Sequence, residues 1–194
     1  MDREEIQQIP LDQLRPFRNH PFRVVDDEEM QRTVESVAQF GVLVPAIARP
    51  DPDGGYELIS GHRRLHAAEL AGLETLPVIV REMDDDAAAI AVVDANLQRE
   101  TLLPSERAFA YRMKLEAMNR QGKRADLTCS QFGNKLDGRK SSEIMAEELG
   151  TSKNQIFRFI RLTYLIPELL EMVENKTLAF NPESSPKLCV NSFR

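Results

Sequence analysis

The chain has 194 residues, with 25 Lys and Arg against 31 Asp and Glu, and a formal net charge of −6. Its 42% hydrophobic and 29% charged content is ordinary for a soluble globular protein of one or two domains, and no apolar run nears the ~20 residues of a membrane span. Met1-Asp2-Arg3-Glu4-Glu5 lacks the apolar core of a signal peptide, and Cys129 and Cys189 fit neither a zinc nor a redox spacing, so a reducing cytoplasm is expected.

Ile9 to Leu14 reads as a short strand or turn, and Arg15 to Arg23, with Pro16 and Pro21, as a loop. Asp26 or Asp27 is expected to cap a helix with Glu28 and Glu29 in its first turn. Met30, Val34, Val37 and Ala38 fall on its apolar face, and Gly41 ends it. Val42 to Arg49 reads as a strand broken by Pro45, Asp51 to Gly55 as a hairpin turn, and Tyr56 to Ile59 as the return strand. A helix then opens on His62-Arg63-Arg64, with Leu65, Ala68 and Leu70 or Ala71 as its apolar positions, and Gly72 can close it.

Strand, Gly61, helix start and adjacent arginines make a geometry for holding phosphate. The first helical N–H groups have no intrahelical partner, and a glycine lets an anion approach the backbone. Arg63 and Arg64 can add charge-assisted contacts. The alternative is a solvated arginine pair, which the helix dipole slightly disfavours at this end. His62 and His66 share a helical face, but no third ligand completes a zinc site.

Leu76 to Arg81 reads as another strand, so the N-terminal part is α+β. Asp84-Asp85-Asp86 starts a long helix that continues through Ile90, Val93 and Leu97 to Gln98. Arg99 to Pro104 breaks it. Ser105 is expected to cap a further helix with a stripe of Ala108, Tyr111, Leu115 and Met118. Arg120 to Lys140 is polar and poorly periodic, which suggests a mobile loop or insertion.

Residues 141–165 read as a helix-turn-helix. Ile144, Ala146 and Leu149 belong to a first short helix, Gly150 makes the turn, and Thr151 or Ser152 caps a second helix that buries Ile156, Phe159, Ile160 and Thr163. Thr151, Ser152, Lys153, Asn154, Gln155 and Arg158 are the candidate DNA-binding residues at its polar front. Charge agrees: residues 1–119 hold 13 Lys and Arg against 22 Asp and Glu, whereas residues 120–165 hold 9 against 5. An ordinary αα-hairpin is the alternative.

These stretches together resemble the ParB family of chromosome and plasmid partition proteins, over about Ile9 to Asn181. Asn19-His20-Pro21-Phe22-Arg23 resembles its early Pro-Arg loop, and Gly41-Val42-Leu43-Val44-Pro45 its G-[IV]-x-x-P segment. Gly61-His62-Arg63-Arg64 with Ala67 resembles its GERRxRA phosphate motif, and Asn96 to Glu106 its ENIQRxxLxPxE motif. The resemblance implies a small mixed-sheet ParB/sulfiredoxin-like domain over residues 1–100 and an all-α DNA-binding domain over 101–182. Residues 183–194 are then expected to be a disordered tail.

It further implies a bacterial, nucleoid-associated DNA clamp. CTP and Mg2+ would bind its N-terminal domain, through which copies self-associate. Double-stranded DNA carrying a centromere-like site and a partition ATPase of the ParA type are the implied partners. Gly41, Gly61, Arg63, Arg64, Asn96 and Arg99 match nucleotide-binding positions, with Asn96 also near the metal. The sequence departs at His62, where the family has Glu, and at Ala95, where it has its metal-associated Glu. CTP hydrolysis is therefore expected to be weak or absent. The family's C-terminal dimerisation domain has no counterpart after Asn181, so a truncated chain is expected.

Two other readings use the same parts. A kinase-like phosphoryl-transfer enzyme could share the fold but would not need a basic helix-turn-helix. A sulfiredoxin would need a cysteine beside the arginine of the phosphate loop, and Ser60-Gly61-His62-Arg63 has none. A transcriptional or nucleoid-occlusion regulator would look the same in sequence.

Overall fold

The computed structural model describes residues 5–99, 102–128 and 140–178, with the side chains of 123–128 left aside. The chain divides into two compact units, Met1–Gln98 and Arg99–Arg194. The first is α+β and the second, among its described residues, all helical, in agreement with the expected fold class.

The first unit is built on a five-stranded mixed sheet with the order β1-β5-β3-β4-β2. Strand β1 is Ile6–Pro10, β2 Leu14–Pro16, β3 Ala46–Pro50, β4 Tyr56–Ser60 and β5 Thr75–Val80. A 3-10 turn, Leu11–Gln13, links β1 to β2. Strands β1/β5 and β3/β4 pair antiparallel, while β3/β5 and β2/β4 pair parallel. Strand β3 starts at Ala46, not at Val42, because Pro45 has no amide hydrogen to give to a ladder.

Helix α1, Glu28–Phe40, and helix α2, His62–Leu70, pack on each other and on one face of the sheet. Asp27 caps α1 by accepting from the Met30 amide at 2.8 Å, and Gly41 ends it with φ of 71°. Met30 and Val37 are buried as expected, but Ala38 is exposed. Met30, Val37, Leu65, Ala67 and Ala68 meet Ala46, Ala48, Leu58, Leu76 and Val78 in one core. Helix α3, Asp85–Leu97, packs against β4. Successive strand residues point to opposite faces, and Glu57, Leu58 and Ile59 are all buried, so both faces of β4 are covered.

In the second unit, α4 is Pro104–Thr128, α5 Ser141–Glu148, α6 Lys153–Leu162 and α7 Pro167–Glu174. Helix α4 contacts each of the other three. Tyr111 meets Phe159 edge-to-face at 5.5 Å, over a core that includes Leu115, Met145, Ile156, Ile160 and Leu162. Two expectations are corrected here. Ser105 is not the cap of α4: Pro104 takes the first helical position, the Leu103 amide donates to Glu106 at 3.1 Å, and the buried Ser105 hydroxyl bonds Glu174 of α7. Residues 120–128 continue α4 despite Gly122, and residues 129–139 of the expected loop lie outside the described residues, as does the tail 183–194.

Candidate functional site

In the first unit the phosphate-type geometry is present at the start of α2. Gly61 is the N-cap, with φ of 110°, and no side chain caps the helix. A Cβ at Gly61 would lie 2.9 Å from Ala46 Cβ and 3.2 Å from Arg64 Nη2, so backbone and guanidinium pack here at glycine distance. Uncapped first-turn amides beside two arginines suit a phosphate.

The three side chains of the first turn go in three directions. His62 Nε2 accepts from the Phe17 amide at 3.2 Å, and its ring lies 3.7 Å from that of His20. His20 Nδ1 donates to the Phe22 carbonyl at 2.7 Å, which fixes that tautomer. Arg63 Nη2 lies 3.6 Å from Asp27 and 3.4 Å from Glu29, at the start of α1, and this buried nitrogen makes no hydrogen bond. Arg64 Nη1 donates to the Val44 carbonyl at 2.7 Å and the Pro45 carbonyl at 2.5 Å. Burial pushes the Arg64 guanidinium below its usual proton affinity. His66 does not join His62; it sits 2.7 Å from Asp26 and 3.6 Å from Glu69.

A buried charge network supports this site and was not singled out from the sequence. Glu57 is 8% exposed. It accepts from the Arg18 amide at 2.9 Å and from Arg49 Nε at 2.7 Å, with Arg49 Nη2 at 2.6 Å. Arg49 also reaches Asp85 at 2.8 Å and the Met83 carbonyl at 3.3 Å. Burial lowers the Arg49 proton affinity, but hydrogen bonds and charge from Glu57 and Asp85 outweigh it and raise the pKa. Phe17 on His62 and Arg18 on Glu57 thus fasten the loop that follows β2, from residue 17 to 23, to the sheet and to α2. A lone Glu in an apolar strand gave only a weak signal, since its partner Arg49 becomes a neighbour only when β3 pairs with β4.

Gly41 lies at the end of α1 and opens the loop that Arg64 holds. Asn96 is buried near the end of α3, and its Nδ2 donates to the Val92 carbonyl at 2.8 Å. Arg99 begins the second unit. Gly61, Arg63 and Arg64 are therefore brought together with the loop from Gly41, whereas Asn96 is held within its own helix. For magnesium the residues present do not fit an all-protein site. Among the described residues no group of three His, Cys, Asp or Glu is placed to hold a metal ion, and exposed Ala95 offers no oxygen ligand from its side chain.

In the second unit, α5, a turn through Gly150 at φ of 60°, and α6 form the helix-turn-helix. Ser152 caps α6 by accepting from the Gln155 amide at 3.1 Å. Lys153 Nζ donates to Glu143 of α5 at 3.0 Å and Thr151 Oγ1 to Gln155 Oε1 at 2.7 Å. The Lys153 hydrogen bond holds the Glu143 carboxyl below its ordinary value, helped by a backbone hydrogen bond with Lys140. Ser152, Lys153 and Asn154 are exposed, Thr151, Gln155 and Arg158 half-buried, and Ile156, Phe159 and Ile160 buried behind them. The polar front expected of a reading helix is thus present, with Lys153 and Gln155 each already bonded within the motif.

The sequence matches the ParB N-terminal domain family over residues 1–97, half of the chain. Stage 0 sporulation protein J of Bacillus subtilis is 35% identical over 179 residues, covering 92% of this chain and 56% of that protein. A nucleoid occlusion protein of Geobacillus is 28% identical over 177 residues, covering 91% of this chain and 56% of that protein. The chain thus spans little more than half the length of these relatives. Among solved structures, a C-terminally truncated chromosome-partitioning protein ParB from Caulobacter crescentus, complexed to the centromeric parS site, superposes with a TM-score of 0.53. It is 27% identical, over 89% of this chain and 80% of that one.

Proposed function

The chain belongs to the ParB family, and on that footing we propose that it is a DNA-binding partition protein whose first unit binds a cytidine nucleotide and thereby gates a clamp on DNA. The observation that carries the DNA reading is the exposed polar start of α6, Ser152, Lys153 and Asn154, on a helix-turn-helix with a buried core. The similarity to a ParB solved on its centromeric site, over 89% of this chain, supports it. Lys153 and Arg158 are assigned to phosphates, which set affinity, and Asn154 and Gln155 to base edges, which set sequence.

The nucleotide reading rests on Gly61, the uncapped start of α2 and the buried, unbonded nitrogen of Arg63. Asn96 and Arg99 are assigned to the same ligand through the family motif that they match. A ParA-type ATPase, self-association through the first unit and action at the nucleoid complete the proposal. Since the side chain of Ala95 supplies no carboxylate and no protein cage for magnesium is found among the described residues, no hydrolytic step is assigned.

Selection of bound sequences from random duplex DNA, with and without CTP, tests both halves at once. Enrichment of one site, with retention altered by CTP, is the expected result. Failure to enrich any site would remove the partition reading. The Geobacillus relative supports a second reading, nucleoid occlusion. Sites scattered around a chromosome, in place of one cluster, would favour it.

A further inference from the structure

Among the described residues of the second unit, five large apolar side chains stay exposed: Phe109, Phe157, Tyr164, Ile166 and Met172. Four of them lie on α6, on the turn after it and on α7. Phe157 and Tyr164 line a groove between α4 and α6 whose floor is Leu115 and Ile160. The rim of that groove is cationic. The Arg112 guanidinium lies 5.5 Å from the Tyr164 ring centre, and its Nε donates to Glu116 at 2.9 Å, so this cation is already balanced. Arg161 lines the same groove and is exposed. The next helix has the complementary character. Ile166, 58% exposed, precedes Pro167 at the start of α7. The outer side of α7 carries Glu168, Glu171 and Met172, which are neighbours at three- and four-residue spacing. No lysine or arginine lies between Ile166 and Glu174. In its own chain α7 is tied to the first turn of α4 by the Ser105–Glu174 hydrogen bond, and among the described residues none of α7 lines the groove. Contiguous exposed apolar surface with a polar rim marks an interaction site.

We propose that this surface is self-complementary: the groove between α4 and α6 receives α7 of a second copy of this chain. Ile166 and Met172 of one copy pack on Phe157 and Tyr164 of the other, and Glu168 and Glu171 face Arg161. Groove and acidic helix belong to one unit, three residues apart at Tyr164 and Pro167. A twofold axis therefore makes both contacts at once, groove to helix and helix to groove. The pairing buries apolar side chains at its centre and sets opposite charges at its rim. It is built from Arg, Phe, Tyr and Met, the residue types enriched in protein interfaces, and the groove holds no lysine. A nucleic acid would meet the Glu116 carboxylate in the groove and the acids of α7 beyond it, which disfavours a polyanion there. The contact is separate from the self-association proposed for the first unit, and every residue that tests it lies in the second.

Sedimentation velocity on the full chain over a concentration series, without DNA or nucleotide, reads the association. Two variants reverse one side each: Arg161→Glu in the groove, and Glu168→Arg with Glu171→Arg on the helix. Either one alone sets like charges against like in both contacts of its own dimer and should weaken association by at least about tenfold. All three residues are exposed, so the melting temperatures should stay near that of the parent. Mixing the two variants separates a lost contact from a damaged fold. In the mixed dimer one contact pairs Arg161 with Glu168 and Glu171, and the other pairs the same positions with their charges exchanged, so mixing should bring association back. A parent chain that sediments as a monomer throughout overturns the proposal. So does association that neither variant weakens, which places it outside this surface, and so does a loss that mixing leaves in place. A monomeric parent in which a single-stranded oligonucleotide shifts the Phe157 and Tyr164 ring resonances would assign the groove to nucleic acid and overturn the proposal as well.

Discussion

Glu57 serves three donors with one carboxylate: the Arg18 amide and two nitrogens of Arg49. The Glu57 and Arg49 side chains are 11% and 12% exposed, so solvent screens the pair weakly. Removing one member of a buried pair leaves the other charge stranded, which costs about 3–5 kcal/mol. Glu57→Ala should lose stability on that scale in urea unfolding, and a loss under ~1 kcal/mol would show that Asp85 and water replace Glu57. Ala95 presents the opposite case, a group that is missing. It is exposed while its neighbour Asn96 is buried, so a longer side chain there meets no core. Ala95→Glu should raise magnesium-dependent CTP turnover at unchanged melting temperature, since magnesium binds through one or two carboxylates beside phosphates. Turnover by the parent chain equal to that of Ala95→Glu would show that another group supplies the ligand.

At the scale of elements, α6 depends on its cap and on its tie to α5. Ser152→Ala removes the acceptor for the Gln155 amide and should cost about 1 kcal/mol in denaturant unfolding. The Lys153–Glu143 tie is pH-sensitive in a definite sense. The Glu143 pKa is lowered in the folded chain, so its contribution is complete above the ordinary carboxylate range and is lost as pH falls through the lowered value. Lys153→Met should therefore flatten the fall of melting temperature below about pH 4, and an unchanged acid limb would show that the tie contributes nothing. Local chemistry made most elements legible: Asp27, Asp84 and Ser152 cap helices with side-chain oxygens, and Gly41, Gly61 and Gly150 take positive φ where turns were read. What was not legible is what tertiary pairing supplies. Ser105 looks like a cap, yet its hydroxyl serves Glu174, 69 residues away. The Arg64 carbonyls lie 20 and 19 residues off, across a loop with no periodic signal. The geometry at Gly61, Arg63 and Arg64 could be read because a strand, a glycine and a helix start are local; the carbonyls that Arg64 finds in the loop before β3 could not.

For the whole molecule, charge bears on the proposed approach to DNA. Residues 1–119 carry a net charge of −9, and residues 120–165 carry +4. The first has an excess of anionic groups, so the proposed DNA contacts are expected in the second. Each neutralised phosphate adds about −0.9 to the slope of log affinity against log salt. With Lys153 and Arg158 assigned to phosphates, these two contacts should contribute a slope of about −2 per chain. Two bonds inside the motif bear on how this is measured. Lys153 is paired with Glu143, so its ammonium must exchange a carboxylate for a phosphate, and Gln155 Oε1 already accepts from Thr151. Glu143→Gln removes the competitor and should tighten binding to every sequence alike. Lys153→Ala should weaken every sequence alike and reduce the slope by about one. Gln155→Ala should leave the slope unchanged and lose about 1–3 kcal/mol of discrimination at one or two base pairs. Mobility-shift titrations of the three variants at two salt concentrations, on the selected site and a scrambled duplex, separate these outcomes. Three variants that all behave like the parent chain would mean that α6 packs against α4 and α5 without reading DNA, even if the protein binds DNA through other residues.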